Sequence, residues 1–425
     1  MPSTDRGYGF FGSLESLRGV AALVVVLVHA SWLSPIHDAR FVRNAYLLMD
    51  FFFVLSGFVI CQAYGQRITN RGELRDFFLL RLGRMYPLHV TMLGVLVAME
   101  VARFAAQARL GFEGRAPAFS HNTGAALVSN LLLTHSLGLH GRYTFNHPSW
   151  SISTEFYTYM LFALAVLAVG PRLKRWQLPV FVALSAASCG VLVVVGRPNL
   201  NVSYDYGLFR CAMGFFLGAA SFLVFARSGI SGSRVVRAVA PYVAAAALTG
   251  CVLYLQFNTG GPSDYLVPPL WALLTVALAA SPGSVIDRWL QIRPLAYLGR
   301  ISYSVYMVQF VIVWMFDRIL VVGLRFESTT TPAGAQLVLT DQITGTIMLL
   351  IYAGVVVLVS HVTFTWIEDR CRRKTRAFVA GVRARSARTE HAASDRIFEA
   401  VAPDAERVHV RAFARAADSL CGKTR

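Results

Sequence analysis

Leu17-Arg18-Gly19-Val20-Ala21-Ala22-Leu23-Val24-Val25-Val26-Leu27-Val28-His29 is an apolar run bounded by a guanidinium and an imidazole. At 100° per residue, the eleven steps from Arg18 to His29 bring both to within about 20° of one helix face, about 16 Å apart along the axis. A helix of this composition belongs in a bilayer, where ionisable groups are costly and face a bundle interior or a wet cavity.

The rest of the chain agrees. Of 425 residues, 55% are hydrophobic and 15% charged, and the mean hydropathy is +0.52, more apolar surface than one soluble core needs. Crossing ~30 Å of hydrocarbon takes about 20 mostly apolar residues. Such windows recur near 17–33, 45–63, 86–105, 155–170, 178–196, 206–226, 238–256, 266–281, 295–316 and 343–366. The expected fold is all-α, a polytopic transmembrane helix bundle of about ten spans.

The formal charge of +17 is distributed by loop. Arg67, Arg71, Arg75, Arg81 and Arg84 lie in one, Arg172, Lys174 and Arg175 in another, then Arg227, Arg234 and Arg237, then Arg288 and Arg293. The connections around 197–205, 257–265 and 317–342 are poor in Lys and Arg. That alternation is the positive-inside pattern, with N-terminus and C-terminus cytoplasmic, and it excludes a nucleic-acid groove binder. The apolar stretch Ala125 to Leu139 is expected to be a short re-entrant or interfacial helix, because an eleventh span there would put Pro171–Trp176 and Arg370–Arg376 outside.

Six cysteines, at 61, 189, 211, 251, 371 and 421, show no CxxC spacing and predict neither a disulfide framework nor a metal site. Arg6 and Arg18 precede the first apolar run as in a signal peptide, yet no small-residue cleavage site follows, so this run reads as the start of the bundle. Residues 1–372 are expected to form the transmembrane domain. Residues 373–425 turn Arg- and Ala-rich, a short basic tail, partly disordered or amphipathic around Phe378–Arg385 and Val408–Ala417.

The polar groups inside the spans carry the functional reading. His29 can accept and return a proton near neutral pH, and Arg18 can grip a phosphate bidentately. Either alone could be an anchor or a structural partner; the pair on one face suits a phosphate-bearing donor entering from the cytoplasm. Asp50 opens the second span in DFFFVLSGF, where Ser56 and Gly57 favour close packing. Arg81 and Arg84, in the loop leading to the third span, form a candidate anion clamp, although interfacial anchoring predicts the same residues. Glu155 stands with Trp150 at the external mouth of a span. Arg210, Gln309 and His361 are further polar groups that can equally be mutual structural partners.

These stretches resemble the membrane-bound acyltransferase family 3, which includes polysaccharide and lipopolysaccharide O-acetylases. The resemblance covers roughly residues 12–372 and rests on Arg18 with His29, DFFFVLSGF (Asp50 to Phe58), RLGRMYP (Arg81 to Pro87), WSISTE (Trp150 to Glu155), RCAMGFFLG (Arg210 to Gly218), YLGRISYSVYMVQF (Tyr297 to Phe310) and FTWIED (Phe364 to Asp369), in family order. WSISTE runs directly into Phe156-Tyr157 without the Glu-Gln pair many members carry, and Asp369 stands where proline is common.

The resemblance implies an O-acyltransferase with acyl-CoA, usually acetyl-CoA, as donor and a carbohydrate hydroxyl as acceptor, in contact with membrane lipid. The excess of Arg over Lys hints at a GC-rich bacterial genome, and on that composition the bacterial cytoplasmic (inner) membrane is the expected location. Arg18, Arg81 and Arg84 would hold the coenzyme phosphates. His29 would be the general base or, as a second option, the acyl carrier, with Asp50 or Glu155 orienting it. Some members add an esterase-like domain outside the membrane; here the expectation is transfer within the membrane domain or on a separate partner. Self-association is left open. The competing readings are O-acylation of a lipid or small hydrophobic acceptor such as a macrolide, a solute transporter, for which inverted repeats would be needed, and a scaffold, which would make the Arg18–His29 pairing a coincidence.

Overall fold

The structure, a computed structural model, describes residues 11–110, 117–229, 233–330 and 336–401. The chain divides into two compact units, Met1–Cys371 and Arg372–Arg425, and the described residues are about 79% helical. Counting only helices of eight residues or more, the first unit holds α1 (Gly12–Val28), α2 (Leu48–Tyr64), α3 (Arg71–Leu110), α4 (Gly124–Leu131), α5 (Trp150–Val169), α6 (Gln177–Val194), α7 (Gly207–Arg227), α8 (Arg234–Phe257), α9 (Val267–Ala279), α10 (Arg293–Arg318) and α11 (Gln342–Thr363). Residues 372–401 of the second unit belong to α12 (Asp369–Val401), which includes the basic stretch Phe378–Arg385; Val408–Ala417 lies outside the described residues.

Eight helices among the described residues are long and apolar enough to cross a membrane, so this is a multi-pass membrane protein. The two of the ten expected spans that fall short are α1, at 17 residues, and α9, at 13. At 1.5 Å per residue α1 rises only about 26 Å. Both are interior helices with most of their residues buried, and a helix wrapped by others needs no lipid-facing band of full length. The layering shows in burial: 72% of the apolar window is buried in α2 and in α7, against 28% in α3 and α8 and 17% in the α6 segment.

Small residues set the closest contacts, as expected where lipid supplies no hydrophobic drive between helices. A Cβ on Gly57 of α2 would lie 1.8 Å from the Phe215 carbonyl oxygen of α7, and one on Gly218 of α7 would lie 1.9 Å from that of Val54. The α1–α10 pair meets the same way at Gly19 and Gly299.

Two boundaries differ from expectation in ways that matter to the site. α1 ends at Val28, so His29 caps the helix rather than sitting within it. Trp32 and a small antiparallel hairpin (Ser328–Thr330 with Gln336–Val338) anchor the chain just beyond, the Val338 amide donating to the Ser31 carbonyl at 2.7 Å. The segment containing Arg81 and Arg84 is not a loop. α3 begins at Arg71, where the Asn70 side chain accepts from the Glu73 amide at 3.0 Å while the Glu73 carboxylate accepts from the Thr69 amide at 2.7 Å, a reciprocal cap. It then continues through Pro87. The stretch 125–139 forms the eight-residue α4 followed by turns, too short to cross.

Candidate active site

His29 is half-buried at the end of α1, and its Nδ1 lies 2.7 Å from the Val25 carbonyl oxygen. A carbonyl only accepts, so Nδ1 carries the proton and Nε2 keeps its lone pair. Nε2 has no hydrogen-bond partner among the described residues. A backbone carbonyl thus performs the orienting role for which Asp50 and Glu155 were the candidates.

Neither carboxylate reaches the imidazole. Asp50, fully buried, takes a bidentate pair from Arg210, Nε to Oδ1 at 3.0 Å and an Nη to Oδ2 at 2.7 Å. Arg210 spends its other donors on the Tyr46 and Val202 carbonyls. This pair joins α2 to α7, which makes Arg210 a structural partner. Glu155 accepts at Oε1 from Ser56 Oγ at 2.5 Å and from Tyr159 OH at 2.6 Å. Its Oε2 has no partner among the described residues.

Arg18 and Arg84 share a cavity of about 840 Å³ with Glu155. The walls are otherwise mostly apolar, with Phe52, Phe53 and Ile60 from α2 and Tyr303 from α10. Arg18 is partly committed: Nε donates to Ser302 Oγ at 2.9 Å, and an Nη donates to the Gly299 carbonyl at 3.2 Å and to Glu15 at 3.4 Å. Arg84 makes no hydrogen bond or ion pair with any described residue, leaving its guanidinium free for an anion. Arg81 is not on this wall. It packs over the Tyr64 ring at 5.2 Å and donates to that residue's hydroxyl, because three residues along a helix rotate the side chain 60° away from Arg84.

A second cavity, of about 1170 Å³, is bordered by His147, Phe310 and Trp314; His29 is not on its wall. Its wall includes a stack in which the His147 ring lies 4.1 Å from Phe310 and 5.0 Å from Tyr143, centroid to centroid. His29 and His147 are close enough to interact electrostatically. The partition between the cavities is thin. Tyr306 and Ser151 line the first, and Phe310 and His147, four residues away on the same two segments, line the second; four residues of α-helix rise about 6 Å. Ser151 Oγ donates to Tyr306 OH at 3.0 Å and Tyr306 OH to the Pro148 carbonyl at 2.7 Å, closing the partition.

Of the sequence-derived candidates, the fold gathers Arg18, Arg84 and Glu155 at one cavity; His29 lines neither cavity and interacts with His147 on the wall of the second. His147 and Arg142 carry no signal in the quoted motifs, and Ser151 and Tyr306 lie inside WSISTE and YLGRISYSVYMVQF without standing out there as site residues. The one available signal was the placement of Asn146-His147-Pro148 immediately before WSISTE. His361 bonds Tyr297, and Gln309 donates to the Tyr306 carbonyl at 3.1 Å while its buried Oε1 has no partner. Asp264, also unremarked in sequence, is a buried knot accepting from Tyr46, Tyr254, Asn258 and the Leu200 amide.

A polytopic helix bundle with an arginine-lined chamber, a second chamber across a thin partition and an unpaired imidazole nitrogen close to the second chamber's His147 defines a membrane-embedded group-transfer enzyme. The chain belongs to the acyltransferase domain family, whose model matches residues 11–365, and it is an O-acyltransferase. It is 27% identical over 387 residues to acyltransferase MdmB of Streptomyces mycarofaciens, covering 85% of this chain and 91% of that one. It is 31% identical over 178 residues to protein 2 in the picA locus of Rhizobium radiobacter, covering 41% and 89%. It is 23% identical over 329 residues to the peptidoglycan O-acetyltransferase OatA of Listeria monocytogenes, covering 72% of this chain and 50% of OatA. No solved structure matches the chain.

Proposed function

We propose that the protein transfers an acyl group, in the first instance acetyl, from acyl-CoA on the cytoplasmic side to a hydroxyl of a cell-surface or exported carbohydrate on the other side of a bacterial cytoplasmic membrane, with both termini cytoplasmic. The observation carrying this is the pair of cavities separated by about one helical turn, with Arg18 and Arg84 lining the first and His147, which His29 neighbours electrostatically, lining the second. Arg84, with the free donors of Arg18, grips coenzyme phosphate at the cytoplasmic mouth. The apolar walls accept the thioester arm, and the acyl carbon has about one turn of helix to cross.

His29 Nε2 takes the proton of the acceptor hydroxyl as that oxygen bonds to the thioester carbonyl carbon. The carbon–sulfur bond breaks, and the imidazolium returns the proton to the leaving thiolate, giving an ester and a free thiol. The Val25 carbonyl holds the imidazole in the required tautomer and stabilises the imidazolium, the role a carboxylate fills in a triad. Glu155, Ser56 and Tyr159 form a polar wall of the donor chamber. Names among the relatives support this acceptor and acyl group: OatA is called a peptidoglycan O-acetyltransferase.

The test is transfer of radiolabel from acetyl-CoA to surface glycan in membranes containing the wild type, His29→Ala or His29→Gln, with folded protein quantified. Labelling by the wild type and a loss of about 10²–10⁴-fold in both variants supports the reading. Full activity in folded His29→Gln overturns His29 as the base.

A further inference from the structure

The cavity lined by His147 carries more specific chemistry than a general opening. The Tyr143–His147–Phe310 stack presents aromatic surface, and such walls with a few convergent polar groups are how ligands with one apolar and one polar side are held. His147 forms no hydrogen bond with any described residue, so both ring nitrogens are available to ligand hydroxyls.

The charge on the rim is unbalanced. Glu100 is fully engaged, accepting from Asn122 Nδ2 at 2.8 Å and the Phe119 amide at 3.1 Å and pairing with Arg103 at 3.6 Å. Arg142, exposed on the same cavity, donates to His121 Nδ1 at 2.5 Å and has no carboxylate partner among the described residues. One positive charge is therefore left facing the space where an acceptor must sit.

We propose that this cavity is the acceptor subsite, that its aromatic stack and His147 hold the sugar ring, and that Arg142 selects a carbohydrate bearing an anionic group, a carboxylate or a phosphate. The proposal rests on the acyl-transfer reading above for the identity of the acceptor, and its test is a binding measurement independent of turnover. A planar guanidinium pairs bidentately with either anion, and Arg142, whose side chain bonds only the ring of His121 among the described residues, breaks no ion pair on binding.

The experiment is equilibrium binding to the full chain in detergent of three fluorescent probes: a hexuronate oligosaccharide, its carboxyl-reduced neutral counterpart, and a hexose 6-phosphate. The proteins are wild type, Arg142→Gln and Arg142→Lys. The expected result is at least tenfold tighter binding of an anionic probe than of the neutral one, loss of that preference in Arg142→Gln, and most of it kept in Arg142→Lys. The carboxylate and phosphate arms tell which anion is the better fit. Equal binding of all three probes by the wild type, no binding of any, or an unchanged preference in Arg142→Gln overturns the proposal. Charge-selective binding without acetyl transfer to any glycan would instead overturn the acyl-transfer reading and leave the anionic subsite standing.

Discussion

Among single residues, the first helix was legible because an arginine and a histidine in an apolar run have few bland explanations, and eleven residues is close to a whole number of turns. The partners of the carboxylates were not legible. Whether Asp50 faces an imidazole or a guanidinium depends on which of two distant helices packs beside it, and Arg210 is 160 residues away in sequence. The structure gives Asp50 a structural task, and that has a measurable consequence. Asp50→Asn should leave Arg210 as a buried cation lacking its counter-charge, at a cost of about 3–5 kcal/mol, read as a fall in thermal stability of the detergent-purified protein. Asp50→Leu with Arg210→Met, which removes both charges, should recover much of that loss. If the double variant is less stable than Asp50→Asn, the pair is not an isolated structural bridge and Asp50 has another partner.

At the level of elements, helix existence followed from apolar windows, whereas lengths did not. The first turns of α3 hold Arg71, Glu73, Arg75 and Asp76, an amphipathic extension that no hydropathy window counts, so the arginines at 81 and 84 read as loop residues. The reverse holds for α9, whose apolar window at 266–281 outruns the 13-residue helix, while α1 matches its window in length but starts and ends five residues earlier, the apolar residues after Val28 lying outside the helix. The α1–α10 contact should be unforgiving. A Cβ on Gly299 would lie 2.4 Å from the Glu15 carbonyl oxygen, so Gly299→Ala must push α1, with Arg18 and His29, by about 1 Å, a displacement that can cost on the order of 10²-fold in rate. Gly190→Ala, on α6 with nothing within 4 Å of the added methyl, should keep full transfer activity and gain up to about 1 kcal/mol in stability. Equal effects of the two substitutions in a paired activity and melting assay would refute the close-packing argument.

The turns after α4 carry a pH dependence. Buried His135 is pushed down to about 3, first by desolvation and then by neighbouring His89; its Nε2 lies 3.0 Å from Ser149 Oγ and its Nδ1 has no partner. Ser149 already donates to the Asn146 carbonyl, so His135 is the donor and stays neutral when folded. Its unfolded value is near 6.5, so the unfolded state binds the extra proton between about 6.5 and 3. Stability from this residue is therefore complete above about pH 6.5 and declines as pH falls toward 3, by up to ~1.4 kcal/mol per pH unit. The melting temperature of His135→Asn should fall less steeply than that of the wild type between pH 7 and 4; parallel curves would mean that His135 is already solvated.

For the whole molecule, the two chambers make sense only if they open to opposite sides of the membrane. The proposed orientation puts Arg18, Arg84 and Arg175 on the cytoplasmic side, while α5 separates Arg175 from Arg142, which borders the chamber lined by His147. The prediction is that, with the native cysteines replaced, a membrane-impermeant maleimide added to intact cells labels Arg142→Cys and labels Arg175→Cys only after the membrane is opened. Both positions are exposed in the fold, so a silent Arg175→Cys in intact cells cannot be put down to burial. The reverse pattern would turn the bundle over, presenting the arginine-lined chamber to the outside, where coenzyme A is not supplied, and the division between donor and acceptor chambers would have to be exchanged. Labelling of both positions from outside would mean that α5 does not cross, and a transfer across one turn of helix between two compartments would lose its geometric basis.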